Sequence, residues 1–438
     1  MAGTQEPDPT VSTKSRRIAE LARRHPQRSF VSLAHHIDLA WMHEAYRRTR
    51  KDAAAGIDGQ TAASYEADLD ANLADLLERL KSGRYQAPPV RRIHIPKAGG
   101  QGSRPIGIPT LEDRVAQRAI AMVLEPLYEQ DFEACSYGFR PGRSAHQALG
   151  RLRQACMTMD GGWVIELDIR AFFDELDWAC LRTVLDERVR DGVIRRLIDK
   201  WLKAGVVEGG QRRYNTAGTP QGSVLSPLIA NVYLHAALDR WFEHEVKPRL
   251  HGRGALVRFA DDVRLVFSHE RDARRVMAVL DKRLARYGLR LHPEKTRLHD
   301  FRRPAGARRR PTGFDFLGMT HYWARSRKGR WTIKRRTARD RFRRALRAMT
   351  RYCRRNRHRS VAEQHEVLSR KLLGHYAYFG VTANYAALAR LYEQTRRAWI
   401  KWLGRRSQRG RLTWPRAERL LVRFPLPPPR VVHSPRVA

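Results

Sequence analysis

Cysteine is scarce in this sequence: four residues in 438, and Cys135, Cys156, Cys180 and Cys353 stand far apart. They form no Cys-x-x-Cys pair for zinc and no dense disulfide framework, which fits a reduced, cytosolic setting. Long apolar runs are missing too. None approaches the roughly 18 residues a membrane span needs, and Lys14, Arg16 and Arg17 lead into no apolar stretch, so no secretory signal is read there. Acidic residues are the third shortage. Against 85 Lys and Arg there are 45 Asp and Glu, a formal net charge of +40 and a pI of about 11.2. An apolar content of 42 %, with a length suited to two or three domains of about 150 residues each, excludes a disordered polycation.

The position of the charge is more informative than its total. Residues 301–438 carry 37 Lys and Arg against 6 Asp and Glu, net +31, which leaves +9 for residues 1–300. Most of the excess is arginine, whose planar guanidinium grips phosphate with two parallel hydrogen bonds and stacks on bases. A second basic stretch runs from Arg79 to Leu111, where Arg79, Lys81, Arg84, Arg91, Arg92, Lys97 and Arg104 meet no acidic residue. A solvated charged surface, or a coding bias towards arginine, yields the same counts; a polyanion partner is the preferred reading.

Local patterns divide the chain. A polar, proline-containing lead, expected to be mobile, reaches about residue 30, and a helical stretch through Trp41 and Tyr46 follows. Leu69, Leu73, Leu76, Leu77 and Leu80 recur at helical spacing, with Gly83 placed to end that helix. Residues 91–109 read as a hairpin with a glycine-rich tip, and Asp113 to Leu127 as a helix. Trp163 to Leu167 is a buried strand, and Ala255 to Phe267 a strand, tight turn and strand. From about residue 332 a mainly helical pattern is expected, with one stripe of Phe342, Leu346, Met349 and Cys353, another of Leu368, Leu372, Tyr376 and Phe379, and a long helix from Tyr385 to Leu403. The proline-rich tail from Pro425 should be extended.

Chemistry-bearing residues sit at the ends of these elements. Asp168 follows the apolar strand, and Asp261-Asp262 occupies the hairpin turn 93 residues later. Two adjacent strands would bring the three carboxylates together, where their repulsion calls for cations; hard oxygen ligands suit Mg²⁺. Two such ions about 3.5–4 Å apart support in-line phosphoryl transfer. An Asp-Asp pair by itself is just as much the mark of a solvated turn.

Ordered motifs lift that pair. They run from Gly56-Ile57-Asp58-Gly59 through Ile93 to Lys97, Arg104 to Thr110, Asp113 to Gln117, Tyr137 to Ser144, Asp168 to Asp174, and Gly218 to Pro227. Phe259-Ala260-Asp261-Asp262, Gly288 to Thr296 and Phe316-Leu317-Gly318 complete the series. In this order the sequence resembles the reverse transcriptases of bacterial group II introns, also called intron-encoded maturases, from about Ile37 to His433. The resemblance implies an α+β fold: a right-hand polymerase of fingers and palm, with a ferredoxin-like palm sheet, followed by a helical thumb and maturase domain. Expected boundaries are 1–30 for the lead, 31–320 for fingers and palm, 321–433 for the RNA-binding thumb and maturase region, and 434–438 for a tail.

The implied activity is RNA-directed DNA polymerisation. Asp168, Asp261 and Asp262 would be the catalytic, metal-holding residues for two Mg²⁺, and dNTPs would be added to a primer 3′-hydroxyl. Lys97 and Arg104 flank the hairpin tip as a lid over the triphosphate, Phe173 packs against the sugar and excludes a 2′-hydroxyl, Gln221 approaches nucleotide and template, and Lys295 meets the primer end or the polyphosphate. Asp174 reads as a local cap or ion-pair partner outside the metal site. Arg140, Arg143, Gly222 and Phe259 would line the template and primer path, although Tyr137 to Ser144 reads equally as a structural loop. The family usually has tyrosine where this chain has Phe259, a loss of one hydroxyl.

Arg370, Lys371, Lys401, Arg405 and Arg406 are the expected RNA contacts. Tyr376, Tyr378, Phe379, Trp399 and Trp402 fit either base stacking or core packing. Expected partners are RNA template, intron RNA, DNA primer or target, and dNTPs, with no membrane, in a nucleic-acid-associated bacterial cytoplasmic protein; no oligomeric state is implied. The family's zinc-supported His-Asn-His endonuclease finds no counterpart after Phe424-Pro425-Leu426-Pro427, so no second-strand cleavage is expected. A maturase with an idle polymerase site that aids splicing by binding RNA, and a host-adopted reverse transcriptase in defence or repair, are the alternatives.

Overall fold

Short β-branched runs bounded by glycine and proline become strands here, and the leucine-rich stretches become helices. The computed structural model describes residues 9–96, 102–214, 216–219, 222–305, 313–406 and 412–433. The strands are β1 (Val90–Pro96), β2 (Ser103–Ile108), β3 (Trp163–Leu167), β4 (Val206–Glu208), β5 (Gln211–Arg213), β6 (Gly254–Phe259), β7 (Asp262–Phe267), β8 (Arg297–Asp300), β9 (Gly313–Phe316), β10 (Met319–Arg325) and β11 (Trp331–Thr337). They form three sheets, ordered β2-β1-β4-β5, β6-β7-β3-β8 and β11-β10-β9. The chain divides into two compact units, Met1–Leu152 with Trp163–Leu298, and Arg153–Gly162 with His299–Ala438.

In the first unit, helix Leu69–Ser82 turns Leu73, Leu76 and Leu80 inward and ends at Gly83. Helix Leu111–Tyr128 is buried almost all round, as befits a central element with no free face. The lead expected to lack structure is helical from Pro9 to Arg24, with Val11, Ile18 and Ala22 buried against the central helix. Its apolar residues are few, but the positions fall on one helical stripe, which a polar average conceals. Helix Leu39–Arg48 is capped by Asp38, whose carboxylate accepts from the Trp41 amide at 3.0 Å, and the Trp41 indole donates to the Ala119 carbonyl at 3.0 Å.

The second unit begins its regular structure with an antiparallel sheet, where the sequence pattern leads one to expect helix from about residue 332. β11 pairs along its whole length with β10, because Ser326 to Arg330 closes a turn (Ser326 N–H to Arg330 O, 2.8 Å). Helices Arg339–Arg355, Val361–Phe379, Tyr385–Leu403 and Trp414–Arg423 follow, sharing a core of Met349, Cys353, Leu368, Leu372, Tyr376, Leu388 and Trp399. Tyr376 and Trp399 are thus core residues, while Tyr378, Phe379 and Trp402 are half-buried. The segment from Pro425 to His433 takes no helix and meets Val381 in one bridge at His433; it is tied by the Tyr376 hydroxyl to the Pro427 carbonyl at 3.2 Å and by Val432 N–H to Gly380 O at 2.7 Å. No described helix is long and apolar enough to cross a membrane, and all four cysteines are free thiols.

Candidate active site

Adjacent antiparallel strands deliver the acidic residues. Leu167 at the end of β3 pairs with Val263 of β7, so the next rung sets Asp168 beside Asp262. Asp261 lies one residue earlier, in the turn between β6 and β7, where Phe259 faces Asp262. Strand alternation puts Glu166 and Asp168 on one face together with Asp262 and Arg264, and the Arg264 guanidinium joins Glu166 (2.5 Å) and Asp262 (2.7 Å). The Asp168 backbone is held from behind by the Gly288–Thr296 stretch: His292 N–H donates to Asp168 O at 2.8 Å, and Asp168 N–H reaches Thr296 Oγ at 3.4 Å.

Burial raises both carboxyls of the turn. Lost hydration pushes Asp261 above the ordinary carboxylate range, the Asp168 charge pushes it further, and Arg104 and Arg258 pull it back. Asp262 is also raised by lost hydration, against the pull of Arg264 and with a further push from Asp261 and Glu166. Lys295 Nζ stands 3.8 Å from Asp168. Among the described residues no three His, Cys, Asp or Glu converge as a metal-holding group. Asp168 and Asp261 stand close enough for the charge of one to act on the other, beside an Asp262 that shares its carboxylate with Arg264. The pair fits a divalent cation by its donor chemistry: hard oxygens, and a negative charge at Asp168 that makes ionisation of Asp261 costlier until a cation offsets it.

Other motif residues fall on β2, on the short helix Phe172–Glu175 and just before helix Ser226–Leu234. Arg104, on β2, is exposed and lies close enough to Asp261 to act on its charge; Lys97 lies outside the described residues. Phe173 is half-buried against Phe172, ring centroids 5.2 Å apart, and its carbonyl accepts from Thr219 N–H at 2.8 Å. Gly222 abuts the β2 backbone so closely that a methyl group there would collide with the Gly107 carbonyl. Gln221, its neighbour, is outside the described residues. A cavity of about 480 Å³ opens between Arg92, Gly107, Phe173, Asp174, Thr216 and Gly218.

Gln117 is a positioning residue that sequence reasoning placed in a motif without assigning it a task. Its side-chain oxygen accepts from Ser223 Oγ–H (2.6 Å) and Val224 N–H (2.9 Å), and its amide donates to Asp113 at 3.0 Å. Asp113 also accepts from the Tyr85 hydroxyl and from the Trp201 indole at 2.6 Å. Complete burial raises this carboxyl to about 6 despite those donors. Glu166 and Arg264 were likewise overlooked, although their alternation with Asp168 and Asp262 is written in the strands.

The remaining expected residues fall into two sets. Arg140 is not on an open template path: its guanidinium is buried and spent on Glu129 (3.0 Å), Glu133 O (2.8 Å) and Ser136 O (2.9 Å). Glu129, eleven residues back, supplies the charge that lets the guanidinium leave water. Arg143 is exposed over the Tyr137 ring, 5.4 Å from its centroid, and Phe259 meets Phe139 at 6.3 Å. In the second unit Arg370, Lys371, Lys401, Arg405 and Arg406 are all exposed. Arg370 pairs with Glu366, Lys371 lies over Tyr352, Arg405 lies over Trp402, and Arg406 caps the Arg357 carbonyl at 2.6 Å.

Residues 95–321 match the family model described as reverse transcriptase (RNA-dependent DNA polymerase). The chain belongs to the reverse transcriptase family. The domain carries with it the right-hand polymerase fold, and its relatives set the chain in the group II intron reverse transcriptase and maturase branch. Protein YkfC of Escherichia coli is 39 % identical over 238 residues, 50 % of this chain and 62 % of that protein. Group II intron-encoded protein LtrA of Lactococcus lactis is 38 % identical over 199 residues, 45 % of this chain and 32 % of its own length. Nuclear intron maturase 2, mitochondrial, of Arabidopsis thaliana is 29 % identical over 176 residues, 31 % of this chain and 24 % of its own length. The chain thus covers less than two thirds of each of these relatives.

Proposed function

We propose that this protein is an RNA-directed DNA polymerase that also grips a structured RNA, in the manner of an intron maturase. The observation that carries the first part is the meeting of Asp168 and Asp261, 93 positions apart in sequence, so close that one charge raises the protonation of the other. In this reading the sheet β6-β7-β3-β8 is the palm. Its order, with helix between β3 and β6 and between β7 and β8, supports a ferredoxin-like arrangement. The sheet built on β1 and β2 belongs to the fingers, and the helices after β11 are the thumb and maturase region.

Asp168 and Asp261 would hold two Mg²⁺, with Asp262 as a third ligand when it turns from Arg264. When bound, these ions activate a primer 3′-hydroxyl and stabilise departing pyrophosphate. The chain's own residues do the rest. Arg104 and Lys97 offset triphosphate charge, Phe173 packs against the sugar, Gln221 approaches nucleotide and template, and Gln117 fixes Ser223 and Val224 next to Gly222. Lys295 beside Asp168 orients the reacting end.

The second part rests on a different observation, the +31 carried by residues 301–438, whose cations at 370, 371, 401, 405 and 406 face solvent. Primer extension on an RNA template with dNTPs and Mg²⁺, in wild type and Asp261→Ala, tests the enzyme. Synthesis in wild type alone is expected. Equal signals in both would overturn it and leave the RNA-binding maturase reading.

A further inference from the structure

Arg258 is charged, yet its side chain is wholly shielded from water, as is that of Asp239. All five guanidinium N–H groups are used. Nε and Nη2 form a fork on Asp239 (2.7 and 2.5 Å), Nη2 also donates to Ser136 Oγ (2.7 Å), and Nη1 donates to Asn231 Oδ1 (2.8 Å) and to the carbonyl of Ala260 (3.1 Å). Ala260 is the residue before Asp261, and its φ of +56° lies in the left-handed region that a residue with a Cβ rarely enters.

The surroundings converge on the same turn. The Arg258 backbone bonds on both sides to the Cys135–Tyr137 segment, at 2.9 Å each. A methyl group on Gly138 would strike the Ala260 nitrogen, and the Gly138 carbonyl accepts from Asn231 Nδ2 at 2.7 Å. Asn231 lies on helix Ser226–Leu234, and Asp239 closes the π-helical turn His235–Asp239 that continues it. In an unbroken α-helix, residues eight apart sit roughly 80° apart around the axis. The wider i→i+5 turn lets Asn231 and Asp239 address one guanidinium, consistent with the use of such turns at functional sites.

We infer that Arg258, with Asp239 and Asn231 behind it, is a positioning brace that holds the left-handed Ala260 and thereby aims Asp261. The inference rests on the reading of Asp261 as a metal-holding catalytic residue. Arg258 touches no reacting group; its hydrogen bond towards Asp261 is to the Ala260 carbonyl.

The test separates aim from stability. Arg258→Met strands the Asp239 charge in the core and should lower both melting temperature and kcat. Arg258→Met with Asp239→Leu removes the stranded charge, so the melting temperature should return towards wild type, but Ala260 still lacks its donor. The double variant should therefore keep a kcat at least tenfold down and need several-fold more Mg²⁺, with dNTP KM and RNA Kd within about twofold of wild type. A double variant that regains both melting temperature and kcat would show a core ion pair with no part in aiming, and would overturn the inference. If the double variant does not fold, Arg258→Lys, which leaves Asp239 a cation but has no second arm to reach the Ala260 carbonyl, takes its place with the same expected pattern; wild-type kcat in folded Arg258→Lys overturns the brace. Wild type and Asp261→Ala run alongside. Should wild type make no DNA, the polymerase reading fails separately, and Mn²⁺ titration of wild type against Arg258→Lys decides the brace: several-fold weaker binding in the variant supports it, and equal binding or none in wild type overturns it.

Discussion

The two units use arginine in opposite ways. In the first, acidic residues are plentiful enough for arginine to be drawn inside. Arg258 is enclosed with Asp239, Arg188 with Asp131 at 2.8 Å, and Arg140 with Glu129 at 3.0 Å. In the second, six acidic residues serve 37 basic ones between 301 and 438, and the described ion pairs there include short helical ones such as Arg344–Asp340 and Arg396–Glu393. A guanidinium without a carboxylate cannot leave water cheaply, so the cations stay outside, where phosphate can reach them. An arginine count therefore does not show which arginines face solvent; the local supply of carboxylate bears on that more directly.

If that contrast is right, the largest effect is on RNA affinity. With about 6–10 phosphate contacts, binding should fall some 10³–10⁵-fold between 50 and 200 mM salt. Filter binding of Lys401→Ala with Arg405→Ala should show a shallower salt slope, and an unchanged slope would remove these residues from the interface. Next comes stability. Asp239→Ala strands a buried guanidinium and should cost about 3–5 kcal/mol in denaturant unfolding, whereas Glu366→Ala, at an exposed helical pair, should cost under about 1 kcal/mol. Similar costs would mean that the two units do not differ as described.

A third test uses pH. The Asp113 carboxyl is raised from 3.8 to about 6 on folding, so the folded state holds the extra proton and stability from this group falls as pH rises between those values. The stability of wild type relative to Asp113→Asn should decline by roughly 2 kcal/mol from pH 4 to 7; a flat difference would mean Asp113 ionises freely in the fold. The smallest effect is expected at Phe259. It already packs on Phe139, so Phe259→Tyr, which adds one hydroxyl, should alter the rate of primer extension only a few-fold.

Much of the local structure was legible. β3 runs from Trp163 to Leu167 and the last long helix of that reading from Tyr385 to Leu403, both as the sequence pattern indicates, because hydrophobic period and flanking residues act within a few positions. The sheet containing β11 was missed, since Lys334, Arg335 and Arg336 mask the alternation of Trp331 and Ile333. The helix from Pro9 was missed for the same reason. At the site, the position of Asp261 in a turn and the alternation that sets Asp262 beside Arg264 on β7 were readable, but the meeting of Arg264 with Glu166 depends on the pairing of β3 with β7.

The sequence by itself determined the family motifs, their order, the hairpins and the basic imbalance of the last third. Tertiary structure alone decided which charges face solvent and which are framework. Arg258 and Ser136 are 122 positions apart, and Arg140 depends on a carboxylate from a different element; no local period encodes such meetings. A buried charge is stable only where the fold brings its partners to it, and that is a property of the packed chain rather than of any segment in it.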